Sequence, residues 1–330
     1  MNLVLDISTS AEFWRRVYPI DRAPSSPSKN PKGDCAITHD EVFRLAPQWI
    51  TPQFLQQLDG KLHVMAFDLA SRRRSSEHVV HVWSDSIPQG SFYKLNDSVF
   101  VAAPEFIFLA AASLLNKHAL IAFGCELCGF YGFDESDPRG FRSRKVPLLT
   151  IEKLERYLAA SQSCRGLQNA KAALPHIVAH SASPMETFDV MAITLPYRLG
   201  GYGLRRPLMN NEVKLTEDAK RIAKKRTCYG DMSYPEISLD IEHYGQYDHT
   251  LNDDWANDRA RANALKRDGF EVIELTKDQV GDLIAFECII KHIAKLLGKR
   301  LRADKLGPIS PRLEMRSNVF AWNASSGRLR

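Results

Sequence analysis

The chain has 330 residues, of which 44% are hydrophobic and 25% charged, with a formal net charge of +5. This is the composition of an ordinary globular protein long enough for two cores, and it excludes disordered and collagen-like classes. No apolar run reaches the roughly 18 residues needed to cross a bilayer, and the opening "MNLVLDISTSAEFWRR" has neither a basic n-region nor an apolar h-region, so no membrane partner and a cytoplasmic location are expected. The mild positive balance admits a nucleic-acid partner without establishing one.

Residues 1–34 read as an amino-terminal arm, held by Phe13, Trp14 and Val17, followed by the Pro-, Ser- and Lys-rich linker "DRAPSSPSKNPKGD". Residues 35–150 form a first α/β module. Thr38 is a plausible helix cap in it and Ala46-Pro47 a break. The alternating segments "KLHVMAF", "EHVVHVWS", "SFYKLND" and "SVFVAAP" predict strands. A single apolar helix is expected from Pro104 through "GCELCG". One Cys-x-x-Cys without a second pair is half a zinc site at best, so Cys125 and Cys128 read as buried, reduced core residues. The "SRRRSS" stretch (residues 71–76) is expected to be a solvated loop. "DESDPRGFRSRKVP" marks the inner boundary, and residues 151–182 carry two connecting helices.

The second module, residues 183–300, opens on "SPMET", with Ser183 as N-cap, Pro184 at the first helical position and Glu186 placed for a capping box. "NEVKL" predicts a strand and "EDAKRIAKKR" a basic helix or loop. "GDMSYPEISLDIEHYG" predicts a hairpin turning at Pro235. An amphipathic helix ending at Gly269, a buried strand "FEVIEL" and one long last helix complete the module. Residues 301–330 read as a basic tail, polar enough to be mobile unless Phe320 and Trp322 dock. The whole is an α/β fold, an amino-terminal α/β module followed by a mixed sheet flanked by helices.

A turn centred between Glu236 and Ile237 makes Asp231 and Glu242 direct cross-strand neighbours, with Cβ atoms about 4.5–5.5 Å apart. Period-two alternation puts Leu239, Ile241 and His243 on one face and Asp240, Glu242 and Tyr244 on the other. Two readings stay open: the pair shares a divalent ion, or it lies on a polar hairpin face turned to water.

The pieces "SPMET", "GDMSYP", "DIEHYGQYDH" and "DRARANALKRDGFEVIELTKDQV" occur in an order and spacing that resemble the restriction-endonuclease-like PD-(D/E)XK superfamily. The closer resemblance is to the branch related to very-short-patch-repair endonucleases and to the carboxy-terminal domain of AbiEi-type antitoxin-like proteins. It covers residues 183–300 and implies a restriction-endonuclease-like domain there. Glu186, Asp231, Glu242 and His249 are then the catalytic set, Asp231 and Glu242 the ligands of Mg²⁺ (or Mn²⁺), and Arg259 and Asn263 positions on the helix behind the site. Tyr244 departs from the pattern, standing where the superfamily carries lysine.

The implied activity is a metal-dependent DNA endonuclease or nickase. The alternative is an inactive nuclease fold serving as a nucleic-acid-binding or antitoxin-like regulator. Lys220, Arg221, Lys224, Lys225 and Arg226, with Arg205 and Arg206, are the expected contacts to nucleic acid, which the resemblance implies is DNA. Either they face a phosphate backbone or they form a solvated helix face. A protein partner would use the amino-terminal module.

Overall fold

The computed structural model describes residues 2–17, 30–31, 50–56, 58, 60–68, 78–244, 252–301 and 309–329. The fold is α/β. Strand β1 (Leu3–Val4) and helix α1 (Ile7–Glu12) are followed by a wide helical turn over Phe13–Val17. Next come α2 (Pro52–Gln56), β2 (Leu62–Ala66), β3 (His78–Val82), β4 (Phe92–Lys94) and β5 (Val99–Ala102). Strand β1 lies parallel to β5, which pairs antiparallel with β4, while β2 and β3 form a separate parallel pair. The four segments expected as strands are therefore strands. The amino-terminal arm is not peripheral: Leu3, Val4, Leu5, Phe13 and Trp14 are all buried.

The apolar helix divides in two, α3 (Pro104–Ala111) and α4 (Lys117–Leu127). Asn116 accepts from the main-chain N–H groups of His118 and Ala119 and so starts α4 afresh. Cys125 and Cys128 are buried free thiols. Burial pushes Cys125 up to about 11, which suits core packing rather than redox chemistry. After the β6 (Tyr131–Phe133) and β7 (Phe141–Ser143) hairpin, α5 (Ile151–Ala160) and α6 (Leu167–Ala173) are the two connecting helices.

Helix α7 (Pro184–Thr194) leads into β8 (Leu208–Lys214), α8 (Glu217–Ala223), β9 (Thr227–Tyr234), β10 (Leu239–Tyr244), α9 (Asn252–Arg267) and β11 (Glu271–Thr276). The mixed sheet has the order β11-β10-β9-β8, with β10 antiparallel to β9 and parallel to β11. Strand β11, expected to be buried, is an edge strand on which only Leu275 is fully buried. One sheet face sends Met232, Tyr234, Leu239 and Ile241 into the main core with Phe188 of α7. A second, smaller core of Val213, Leu215, Cys228, Ala264 and Leu265 packs with α8 and α9.

The last helix also divides, into α10 (Lys277–Gly281) and α11 (Leu283–Leu296), because Asp282 caps the second piece through Ile284 and Ala285. Over residues 309–329 the expected mobile tail is instead packed structure. Helix α12 (Ser310–Ala324) buries Met315, Val319 and Trp322, spaced for one helix face. Arg316 lies under the same helix, its guanidinium 5.3 Å from the centre of the Phe188 ring. A single apolar cluster thus runs from Leu3 to Leu329, across the boundaries expected at residues 150, 182 and 300.

Candidate functional site

The hairpin turns where its proline requires. Pro235–Ile237 form a single 3₁₀ turn, Ser238 takes a left-handed φ of 50°, and Leu239 pairs with Tyr234, Asp240 with Ser233 and Ile241 with Met232. Each pair has the residue sum that the sequence predicts. The main-chain ladder then stops one step before Asp231 and Glu242, and this corrects the expectation of a direct cross-strand pair.

The cause is a local twist of the strands that inserts no residue, since β8 and β9 keep one register on both sides of Asn210 and Asp231. Asn210 on β8, facing this point, has a left-handed φ of 46°. On β9 the alternation slips: a Cβ on Gly230 would sit 2.2 Å from Asp240 Oδ1 and 2.4 Å from Ser233 Oγ, so Gly230 points the same way as Ser233. Glycine is required here because any side chain would collide with a buried carboxylate. In place of a ladder bond, Asp231 Oδ2 accepts the His243 N–H at 2.9 Å. The Asp231 side chain therefore lies in the opening between β9 and β10.

Several other acids gather around that opening. Glu242 is 1% exposed and Asp240 fully buried, so the reading of a hairpin face turned to water does not hold. Ser233 Oγ donates to Asp240 Oδ1 at 2.5 Å. Arg261 of α9 bonds Glu242 Oε2. Glu242 Oε1 and Asp240 Oδ2 are buried and meet no N–H or O–H donor, and the two carboxyl groups lie close enough to share a proton, which helps to raise Glu242. Glu186 completes only half of its capping box: its N–H reaches Ser183 Oγ at 3.1 Å, but Oε2 accepts from Ala182 N at 2.8 Å and Asn210 Nδ2 at 2.9 Å. The Glu186 carboxylate is thereby drawn to the same opening. One turn along α7 from Glu186, Asp189 holds His243 Nδ1 at 2.6 Å, and its Oδ1 meets no hydrogen-bond donor.

These groups perturb one another. Burial, then the charge of Asp231, push Glu186 up to about 8. Burial lifts Asp231 to about 6, against the pull of Arg261 and the His243 N–H. Glu242 stands well above the usual carboxylate range, from burial, then Asp231. His243 is raised: burial opposes its charged form, but Asp189 outweighs that. Glu186 and Glu242 thus each lie within electrostatic reach of Asp231. Even so, among the described residues they are not part of any group of three acidic or imidazole ligands within 4.8 Å of one another. The one such group, Asp6, His63 and His81, lies elsewhere.

The expected cationic contacts divide. Arg205 pairs with Glu236 and lies over the Tyr234 ring, and Arg206 donates to the carbonyls of Pro175 and Ile177, and both remain exposed. Lys220 meets Glu217 at 2.6 Å and Arg221 approaches Asp218 at 3.9 Å on the exposed side of α8. Lys224 closes α8 in a left-handed conformation. Lys225 and Arg226 line a cavity of about 360 Å³ with Tyr229 and Arg261. Arg261 is therefore common to the cationic cavity and the acid cluster. Arg259 and Asn263 are exposed, and it is Arg261 between them that meets Glu242. His249 falls outside the described residues, as does "SRRRSS". No helix among the described residues is long and apolar enough to cross a membrane.

Sequence reasoning missed Asp189, Asn210, Asp240 and Arg261. The one usable signal was "LDIE", where an aspartate two residues before Glu242 shares its face. No protein family, curated protein or solved structure matches this chain.

Proposed function

We propose that the chain is a metal-dependent nuclease that hydrolyses phosphodiester bonds, with Asp231 and Glu242 as the ligands of Mg²⁺ (or Mn²⁺). The observation that supports this reading is the crowding of buried carboxyl groups on Asp231, Asp240 and Glu242, with donor-free oxygens on the last two, beside an arginine, Arg261, that also lines a cationic cavity. The donor set fits the ion. Mg²⁺ takes oxygen ligands, commonly one or two carboxylates completed by waters and substrate phosphates, so convergence of three protein ligands is not required. Buried carboxylates in excess of their cationic partners are neutralised by a proton or by a bound cation.

A bound Mg²⁺ supplies Lewis-acid polarisation of a phosphoryl oxygen and a lowered pKa for coordinated water. The chain's own residues do the rest. Glu186, held by Ala182 N and Asn210 Nδ2, orients water at the opening and carries a proton up to about pH 8. Arg261, which bonds Glu242, supplies a cation that Tyr244 does not and would stabilise the negative charge that builds on the phosphoryl oxygens. Lys225 and Arg226 attract the phosphate backbone, and the half-exposed Tyr229 offers a stacking face to an unpaired base.

The test is incubation of supercoiled plasmid with Mg²⁺ or Mn²⁺, beside Asp231→Ala and Glu242→Ala. Nicking by the wild type and its reduction by more than about 100-fold in each variant are expected, the range for losing one electrostatic stabiliser. Nicking that survives both substitutions refutes the site. Salt-sensitive DNA binding without nicking selects the inactive, regulatory reading, which the lysine-to-tyrosine departure at Tyr244 and the engagement of Glu242 by Arg261 favour.

A further inference from the structure

The amino-terminal region brings two histidines and a buried aspartate together from three separate segments. His63 on β2 and His81 on β3 are diagonal neighbours, since His63 pairs with Val79 and Met65 with His81 in the parallel ladder. Their rings stack with centroids 5.1 Å apart, and His81 Nε2 lies 3.0 Å from His63 Nδ1. Asp6 follows β1, where Leu5 bridges to Val64 and Asp6 N donates to His63 O at 3.1 Å. Its Oδ2 lies 3.5 Å from His81 Nε2. All three ligand atoms fall within 4.8 Å of one another.

The geometry points to a transition-metal site formed by Asp6, His63 and His81, taking an imidazole-preferring ion such as Zn²⁺. Bonds of about 2.0–2.1 Å in a tetrahedral shell place ligand atoms roughly 3.3 Å apart, close to the separations seen here. Two imidazoles with one carboxylate suit zinc or another later first-row metal rather than Mg²⁺. The set is held in place before any ion arrives. Asp6 Oδ1 caps α1 by accepting Thr9 N at 2.9 Å, while Thr9 Oγ1 donates to His63 O at 2.9 Å and lies 3.1 Å from His63 N.

Asp6 is 1% exposed, yet its carboxylate faces a cavity of about 220 Å³ also lined by Ser8, Trp83 and Arg165. That cavity leaves room for the remaining coordination positions, a structural requirement for an exchangeable water or small anion. Arg165 is anchored to Asp85 at 3.0 Å and stacks over Trp83, so its positive charge is a fixed part of the wall. The site shares no residue with the Asp231–Glu242 cluster, and each stands or falls without the other.

The full-length chain, stripped with a chelator, is dialysed against Zn²⁺ and titrated separately with Co²⁺. One tightly held Zn²⁺ per chain is expected, with visible Co²⁺ absorption that Zn²⁺ abolishes. His81→Ala removes a half-exposed ligand, and Asp6→Asn removes the charge but keeps an oxygen for the Thr9 cap. Each is expected to weaken Zn²⁺ by more than about tenfold, because loss of even an outer partner costs about 10–100-fold. Asp231→Asn with Glu242→Gln leaves it unchanged. Absence of Zn²⁺ retention by the wild type overturns the assignment. So does retention that His81→Ala and Asp6→Asn leave intact, or that the Asp231→Asn, Glu242→Gln protein loses.

Discussion

Two buried clusters of charge in this molecule follow opposite rules. Beneath the amino-terminal arm, Arg15 donates to Glu126 through Nε and a terminal nitrogen, both at 2.8 Å, and to Glu12 at 3.0 Å. Arg16 joins Glu12 to Asp134, and Arg144 lies 3.9 Å from Glu126. Three carboxylates thus face three guanidiniums. The charge of Glu126 sustains Arg15, which is raised although burial opposes it, and burial pushes Arg144 down to about 10 although Glu126 resists. Around the β9–β10 opening, by contrast, Glu186, Asp189, Asp231, Asp240 and Glu242 share Arg261 and His243. Burial is common to both clusters, so burial alone does not identify a site. What distinguishes the second is its excess of carboxyl groups over cations, expressed as oxygens without an N–H or O–H donor and as raised carboxyl groups.

The sharpest way to break this comparison is to remove one charge from each cluster. Arg15→Met leaves Glu126 and Glu12 buried without their main partner and is expected to cost about 3–5 kcal/mol in a denaturant titration. Glu186→Gln keeps an oxygen for Ala182 N while relieving repulsion with Asp231. It is expected to raise stability by about 1–3 kcal/mol at pH 8 without added metal. Equal destabilisation by both substitutions would erase the distinction.

The pH dependence carries the same contrast with a definite sign. Glu186 binds its proton more tightly folded than unfolded, so the folded state holds more protons between about 4.5 and 8. Stability therefore falls as pH rises through that interval, with Asp231 adding to the fall between 3.8 and about 6. Thermal melts of wild type and Glu186→Gln are expected to converge below pH 4.5 and to separate toward pH 8. The smallest expected effect concerns the cavity rim. Lys225→Ala and Arg226→Ala should each lower the salt dependence of DNA binding by about one unit of slope. Unchanged slopes would leave these residues as a solvated helix end.

Local rules made the hairpin legible before the structure was known. Pro235 set the turn, and the alternation of Leu239 and Ile241 set the register as far as Ile241↔Met232. The slip at Asp231 was not legible, because it depends on the left-handed Asn210 of a neighbouring strand. Arg261 was hidden for a related reason. The run "DRARANALKR" carries four cationic residues, and only packing of α9 against the sheet decides which one faces inward. The break before α4 was masked by continuous apolar sequence on both sides of Asn116. The docking of α12 rests on Met315, Val319 and Trp322, whose spacing is interrupted by Arg316, Ser317 and Asn318. The Asp6, His63 and His81 group joins residues up to 75 positions apart, beyond any local window.

The most direct measurement is calorimetric titration of Mg²⁺ into the full chain at pH 8, in a His81→Ala background that weakens the separate imidazole site. The account predicts a saturable binding event that raises the melting temperature and disappears when Asp231→Asn and Glu242→Gln are introduced. Absence of binding in the His81→Ala protein, or binding that persists in the triple variant, would contradict it.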